Sequence, residues 1–291
     1  MKKYIYYILL LTTALQLIAC SEDDLDPNSI FDVNAPERDA FDTWLYLNYI
    51  TPYNVQFNYK YIDKETDNSY NLVPATPAKS MAMAKLTKHL WIDSYNELLG
   101  EQFIKTYCPR IIQLIGSKAY NMQGSVVLGT AEGGLKITLY NVNELNPASP
   151  DINFLNEWFF RTMHHEFAHI LHQTKNYTTD FKLISTNYQG PSWVNLKSEE
   201  EANQMGFVTR YASFTPDEDF VEIIANYITH APGYWDGILS NSTATGKVLL
   251  KKKFEIVKKY LQDSWGIDID KLRDIVQRRS NTLGELDLIN L

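Results

Sequence analysis

Four of the six histidines in this 291-residue chain fall between His164 and His172. Two of them, His165 and His169, lie four residues apart in the run His165-Glu166-Phe167-Ala168-His169. On a helix that spacing sets the two imidazoles roughly 40° apart and about 6 Å along the axis, on one face. Both can then reach one tetrahedral ion at about 2.0–2.1 Å. Glu166, rotated about 100° from His165, misses the ion but can reach a water beside it. These are the parts of metal-assisted hydrolysis: a cation that acidifies water and polarises a carbonyl, and a carboxylate that takes the proton. Phe167, Ala168, Ile170 and Leu171 make the rest of the segment apolar. Ionisable groups in such surroundings need partners, and a divalent cation supplies them.

Two ligands do not close a site, so a third is needed. His172 is a poor choice, because seven residues separate it from His165, about 10 Å along a helix. It is expected beside the site or in the core. His164 points off the shared face and is expected at the surface or in packing, and His230, just before Pro232, can cap helix carbonyls. A later segment, Thr215-Pro216-Asp217-Glu218-Asp219-Phe220-Val221-Glu222, opens a helix with Glu218 and Glu222 one turn apart. Glu218 would bind the metal there. Glu222 would accept a hydrogen bond from the outer nitrogen of a ligating histidine and fix its tautomer. Acids in a first helical turn also complement the helix dipole. Glu199, Glu200 and Glu201 compete for the ligand role, although three consecutive acids read as a solvated helix start.

The elements that must position these residues can be outlined from patterning. Residues 1–20 are a processing segment: Lys2 and Lys3, an apolar run from Tyr4, then Leu17-Ile18-Ala19-Cys20. That ending resembles the lipobox of bacterial lipoproteins, which implies cleavage before Cys20 and a lipid on its thiol. Residues 21–40 read as an acidic tether with Pro27 and Pro36. A first helix is expected to open at Phe41, and Val55-Gln56-Phe57-Asn58-Tyr59 alternates like a half-buried strand. Met83, Leu86, Leu90 and Leu98 recur at helical spacing ahead of Gly100, which can stop that helix. Val126-Val127-Leu128 and Leu135-Lys136-Ile137-Thr138-Leu139-Tyr140 flank Ala131-Glu132-Gly133-Gly134 as a hairpin signal. In the second strand Leu135, Ile137 and Leu139 alternate with Lys136, Thr138 and Tyr140, which predicts one buried face and one open face. A long helical pattern covers about 154–172, and two more follow at about 217–229 and 249–261. The order predicts an α+β fold: a small mixed sheet with an edge strand, an active-site helix, then a mostly helical C-terminal lobe. The expected division is 41–175 for an N-terminal α/β lobe and 176–291 for the helical lobe, with a cleft between them.

Charge narrows the partners. The formal net charge is −8, and loss of Lys2 and Lys3 with the leader takes it to −10. Such a chain repels nucleic acid and anionic membrane surfaces, so no nucleic-acid partner is expected. With only two cysteines, and Cys20 committed to lipid, Cys108 has no partner for a disulfide. It reads as a small buried hydrophobe.

His165 to His169 followed by Glu218 and Glu222 resembles the gluzincin pattern of a motif helix and a later glutamate helix. Tyr211, seven residues before Glu218, is similar to a tyrosine of lethal-factor-like proteases, which implies a hydrogen bond to the tetrahedral intermediate. With its lipobox, Leu128-Gly129-Thr130-Ala131-Glu132-Gly133-Gly134, Lys136-Ile137 and motif helix, the chain resembles the substrate import-associated zinc metallohydrolase lipoproteins, a zincin-like group. The resemblance implies one Zn2+ per chain, a peptide or protein substrate, and a TonB-linked outer-membrane importer as partner. It also implies a helper role in nutrient import. Ser21-Glu22-Asp23-Asp24 resembles the signal that sends some Gram-negative lipoproteins to the outer face of the outer membrane. In zincin folds an edge strand before the motif helix pairs with extended substrate, and 135–140 is the segment expected to do so. The alternative is a non-catalytic surface lipoprotein that captures a peptide or glycan for an importer. The intact Glu166 disfavours it, because a pure binder has no use for a base.

Overall fold

The computed structural model describes residues 37–67, 69–120, 126–127, 129–132 and 134–291. The processing segment, Cys20, the tether as far as Pro36, Leu128 and Gly133 lie outside the described residues. Residues 39–291 form a compact unit, of mixed α and β structure, mostly helical with a small sheet.

The first helix, α1 (Ala40–Leu45), starts at Asp39, whose carboxylate accepts from the Asp42 amide at 2.7 Å. A π turn, Tyr46–Ile50, leads to α2 (Thr51–Tyr53) and β1 (Gln56–Asn58). Two helices, α3 (Pro77–Thr87) and α4 (Asp93–Leu99), join through a second π turn, Lys88–Ile92. They end at Gly100, whose φ of +82° suits glycine, before α5 (Glu101–Tyr107). Strands β2 (Ile111–Leu114), β3 (Ala119–Tyr120), β4 (Val126–Val127), β5 (Gly129–Glu132) and β6 (Lys136–Leu139) follow.

The main sheet has the order β1-β2-β6-β5. The first three strands are parallel, and β5 runs antiparallel to β6. Register aligns Phe57, Ile112 and Ile137 across the sheet, with Leu114 opposite Leu139, and these five are buried in the main core.

Two expectations about the hairpin are corrected. Its first strand is 129–132 rather than 126–128, since Val126 and Val127 pair instead with Tyr120 and Ala119. The segment 135–140 is neither half-open nor the sheet edge. Strand β6 lies between β2 and β5, and Lys136, Thr138 and Tyr140 are as buried as Ile137 and Leu139. The cause is a crossing segment that covers the outer face. Lys136 Nζ donates to the Glu65 carbonyl at 2.8 Å, and the Tyr70 ring meets Tyr140 edge-on at 6.3 Å. On that side of the sheet the edge strand is β5, and β1 is the other edge.

From Ile152 onward the described chain is helical. The helix α6 (Ile152–Leu155) passes through a third π turn, Asn156–Phe160, into the motif helix α7 (Arg161–Thr174). Phe167 anchors α7 in an aromatic box, edge-on to Trp91 at 5.3 Å and Tyr95 at 5.0 Å. The hairpin turn reaches the helix from the sheet side. At Gly134, φ +73°, a Cβ would sit 3.2 Å from Ile170 Cγ1.

Then come α8 (Glu199–Met205), the glutamate helix α9 (Pro216–Thr229), α10 (Pro232–Asn241), α11 (Ala244–Trp265) and α12 (Ile269–Ser280). Helix α9 is the central element of this half, with every residue from Asp219 to Thr229 buried. Thr215 caps it by accepting from the Glu218 amide, and Pro216 occupies its first position. Within it, Asp219 and Lys253 of α11 form an ion pair at 2.6 Å with no solvent exposure on either side chain. Tyr188 donates to Asp219 at 2.8 Å, and Lys253 donates to the Gly206 carbonyl at 2.8 Å.

Candidate metal centre

His165 and His169 share one face of α7, as their spacing predicts, and α9 lies against that face. His165 Nε2 and His169 Nε2 are 3.2 Å apart. Glu218 Oε2 stands 3.0 Å from the first and 3.3 Å from the second. Three lone-pair atoms thus form a nearly equilateral triangle. A tetrahedral ion with bonds of about 2.0–2.1 Å needs ligand atoms roughly 3.3 Å apart, so the set fits zinc. Two imidazoles and a carboxylate are also the donor types that such a site uses.

The outer nitrogens are held in a way that aims the inner ones. His165 Nδ1 is 2.8 Å from Glu222 Oε1, so it carries the proton and leaves the Nε2 lone pair for the centre. His169 Nδ1 meets His172 Nε2 at 2.9 Å. Glu222 is itself fixed: its Oε2 accepts from Thr209 Oγ1 at 2.6 Å and Asn226 Nδ2 at 3.1 Å. Thr209 was not expected from the sequence, and nothing at its distance from the motif marks it. Asn226 carried a signal, because it lies one helical turn after Glu222.

The electrostatics favour a cation. Burial opposes charge on His165, but hydrogen bonds to Glu218 and Glu222 outweigh it and push its pKa up to about 10. Burial would raise Glu218, yet the two imidazoles hold it well below the usual carboxylate range. Glu222, against the same burial, is brought to about 2 chiefly by His165. The same carboxylates that favour a proton on His165 favour a divalent cation at that point.

Glu166 is half-buried beside this cluster, and makes no hydrogen bond or ion pair among the described residues. Burial raises its pKa, against the opposing pull of His165 and His169. The Tyr211 ring lies 5.9 Å from that of His165 and edge-on to Trp193 at 5.0 Å. Burial, then the charges of Glu218, Glu222 and Glu166, keeps its hydroxyl protonated well past the usual phenol range.

The remaining candidates do not join the triangle. His172 is buried between His169 and Tyr177, and burial followed by the charge of His169 lowers it to about 4. His164 faces the opposite side, fully buried against the Tyr95 hydroxyl at 3.0 Å. His230 Nδ1 meets the Asn226 carbonyl at 2.9 Å, the capping contact expected of it. Glu199 accepts from the Arg210 amide at 2.7 Å, and Glu201 from the Lys197 amide at 2.6 Å, so neither joins the triangle. Cys108 is a buried free thiol.

Residues 34–270 match the model of a family described as "putative zinc-binding metallo-peptidase". A crystal structure described as a putative zinc-binding metallo-peptidase from Bacteroides caccae is similar, with 39% identity and a TM-score of 0.74. The alignment covers 90% of this chain and 99% of that one. No curated protein matches the sequence.

Proposed function

The chain belongs to the putative zinc-binding metallo-peptidase family, and on that premise we propose that it is a zinc-dependent hydrolase of peptide bonds with a gluzincin-type site. One observation carries this: His165 Nε2, His169 Nε2 and Glu218 Oε2 converge beside a carboxylate, Glu166, that makes no hydrogen bond or ion pair among the described residues. His165, His169 and Glu218 hold one zinc ion per chain, with the carboxylate ligand on a separate helix from the histidines. Bound there, zinc supplies Lewis acidity, which acidifies water and polarises a carbonyl.

The chain's own groups do the rest. Glu166 takes the proton of the attacking water and later hands it to the leaving amine, a task suited to a carboxyl whose pKa burial has raised. Glu222, braced by Thr209 and Asn226, keeps His165 in one tautomer and orientation. Tyr211 stays protonated and donates to the carbonyl oxygen as it gains charge. The outer edge of β5 pairs with no other described strand, and its backbone groups can bind an extended peptide.

The location follows from the leader. Cys20 carries the lipid, the acidic tether holds the domain off the outer membrane, and the substrate serves a neighbouring importer. Leu17-Ile18-Ala19-Cys20 and the acids after it support this. No helix of the described residues is long and apolar enough to cross a membrane.

The test is elemental analysis combined with peptide-library cleavage. The wild type should carry about one zinc and cleave peptides. Glu166→Gln should keep the zinc and lose roughly 10²–10⁴-fold in rate. A wild type as inert as the variant, with both still binding peptide, would replace hydrolysis by capture. Loss of labelled fatty acid in Cys20→Ala tests the anchor.

A further inference from the structure

Arg161 opens the motif helix four residues before His165, so the two side chains leave one face about 6 Å apart along the axis. The glutamate helix runs antiparallel beside it. His165 meets Glu222 at one level, and Asn156 Nδ2 donates to the Thr229 carbonyl at 2.8 Å at the other. Arg161 lies between those levels, over residues 222–226. His230 and Tyr234 wall the same place. Their rings stack at 3.8 Å, and the Tyr234 hydroxyl donates to Asn226 Oδ1 at 3.3 Å. The charge of Arg161 acts on Glu222, His230, Tyr234 and Glu199.

None of these neighbours takes its donors. Arg161 is partly buried and makes no hydrogen bond or ion pair among the described residues. The nearby acids are committed elsewhere. Glu222 gives one oxygen to His165 and the other to Thr209 and Asn226, and Glu199 accepts from the Arg210 amide. A guanidinium that has lost part of its water without gaining a carboxylate is costly. Its five donors form a planar fork that matches a carboxylate. Other arginines of the fold reach protein acceptors: Arg279 and Arg278 both bind Glu97, and Arg210 donates to the Val194 carbonyl, although Nε of Arg210 and of Arg279 is buried without a partner among the described residues.

We propose that Arg161 is a carboxylate subsite beside the metal centre, and that the substrates are peptides carrying a carboxylate close to the scissile bond. The inference rests on the peptidase reading above and names its substrate class. An extended peptide advances about 3.3 Å per residue, so the axial offset from His165 sets the carboxylate about two residues from the reacting carbonyl. Two sources offer that chemistry: an Asp or Glu side chain, and the C-terminal α-carboxylate.

The test uses the full protein, zinc-loaded, with Glu166→Gln to stop turnover, and fluorescent hexapeptides measured by anisotropy. One glutamate is moved along an otherwise neutral peptide, each version being made as free acid and as C-terminal amide. A single glutamate position, or the free-acid terminus, should bind about 10-fold tighter than the neutral amide. The position scan reports a side-chain carboxylate, and the acid–amide pair reports a terminal one. Adding Arg161→Gln should collapse that preference, and Arg161→Lys should restore part of it. Equal binding of acidic and neutral peptides, no peptide binding at all, or a preference that survives Arg161→Gln would overturn the subsite. Turnover separates the two readings. A protein that binds acidic peptides through Arg161 but cleaves none keeps the subsite and loses the enzyme. One that cleaves acidic and neutral peptides alike keeps the enzyme and loses the subsite.

Discussion

Glu218 and Asp219 are neighbours on one helix, and both carry their charge into the protein, but they meet opposite solutions. Asp219 is paired: Lys253 sits 2.6 Å from its Oδ2, Tyr188 donates to the same oxygen, and neither charge of the pair is exposed. Glu218 faces two imidazole nitrogens whose outer partners fix their lone pairs toward it. One cluster balances a cation with an anion inside the protein, although Asp219 Oδ1 is buried without a hydrogen-bond partner among the described residues. The other gathers three electron-pair donors at one point, which only a positive guest can reconcile. A turn of about 100° along α9 separates a charge paired with a lysine from one that faces two imidazoles.

The contrast is broken most severely at Glu218. Glu218→Ala removes one of three ligands, so stoichiometric zinc and peptide cleavage should both disappear while the far-UV circular dichroism stays native. Elemental analysis of the folded variant checks it. Retained zinc would mean that another acid completes the site.

On the paired side the effect should fall on stability. Lys253→Met leaves the Asp219 carboxylate buried without its cation, at a cost of about 3–5 kcal/mol in denaturant melts. Adding Asp219→Asn should recover part of that loss, since no isolated charge then remains. Zinc per folded molecule should stay near one in both. A fall in zinc as large as that of Glu218→Ala would mean that the two clusters are one.

Glu222 lies between these extremes. It supplies none of the three converging atoms, and it meets the outer nitrogen of His165 at 2.8 Å. Glu222→Gln keeps the shape and loses the charge, so zinc affinity should fall about 10–100-fold. Competition with a chelator measures it. An unchanged affinity would reduce Glu222 to packing.

What could be read in advance follows the range of the interaction. His165, Glu166 and His169 were legible because helix geometry alone sets them on one side, and Glu218 with Glu222 because a capped helix start places acids one turn apart. The contact from Glu218 to His169 spans 49 residues; spacing made it a candidate, and packing made the triangle. The strand at 135–140 misled because alternation reports the polarity of a face, and here the crossing chain near Glu65 and Tyr70 buries the polar face as well. Lys253 was illegible for a related reason. It follows Lys251 and Lys252, both exposed; helical spacing sets Lys253 on the face of Leu250 and Val257, but nothing local supplies the acid that pairs with it.

The smallest effect tests whether acidic composition or geometry made the site. Glu200 lies in a run of three acids at an exposed helix start, near Glu199 whose carboxylate caps the Arg210 amide. If any local excess of acid served as the third ligand, Glu200→Ala would lower zinc content as Glu218→Ala does. Its side chain is solvated, and the Ser198 cap satisfies that helix start without it. Glu200→Ala should therefore change stability by no more than about 0.5 kcal/mol and leave zinc stoichiometry intact. A measurable loss of zinc would move the third ligand to the α8 start and dissolve the distinction between Glu218 and the other acids of the chain.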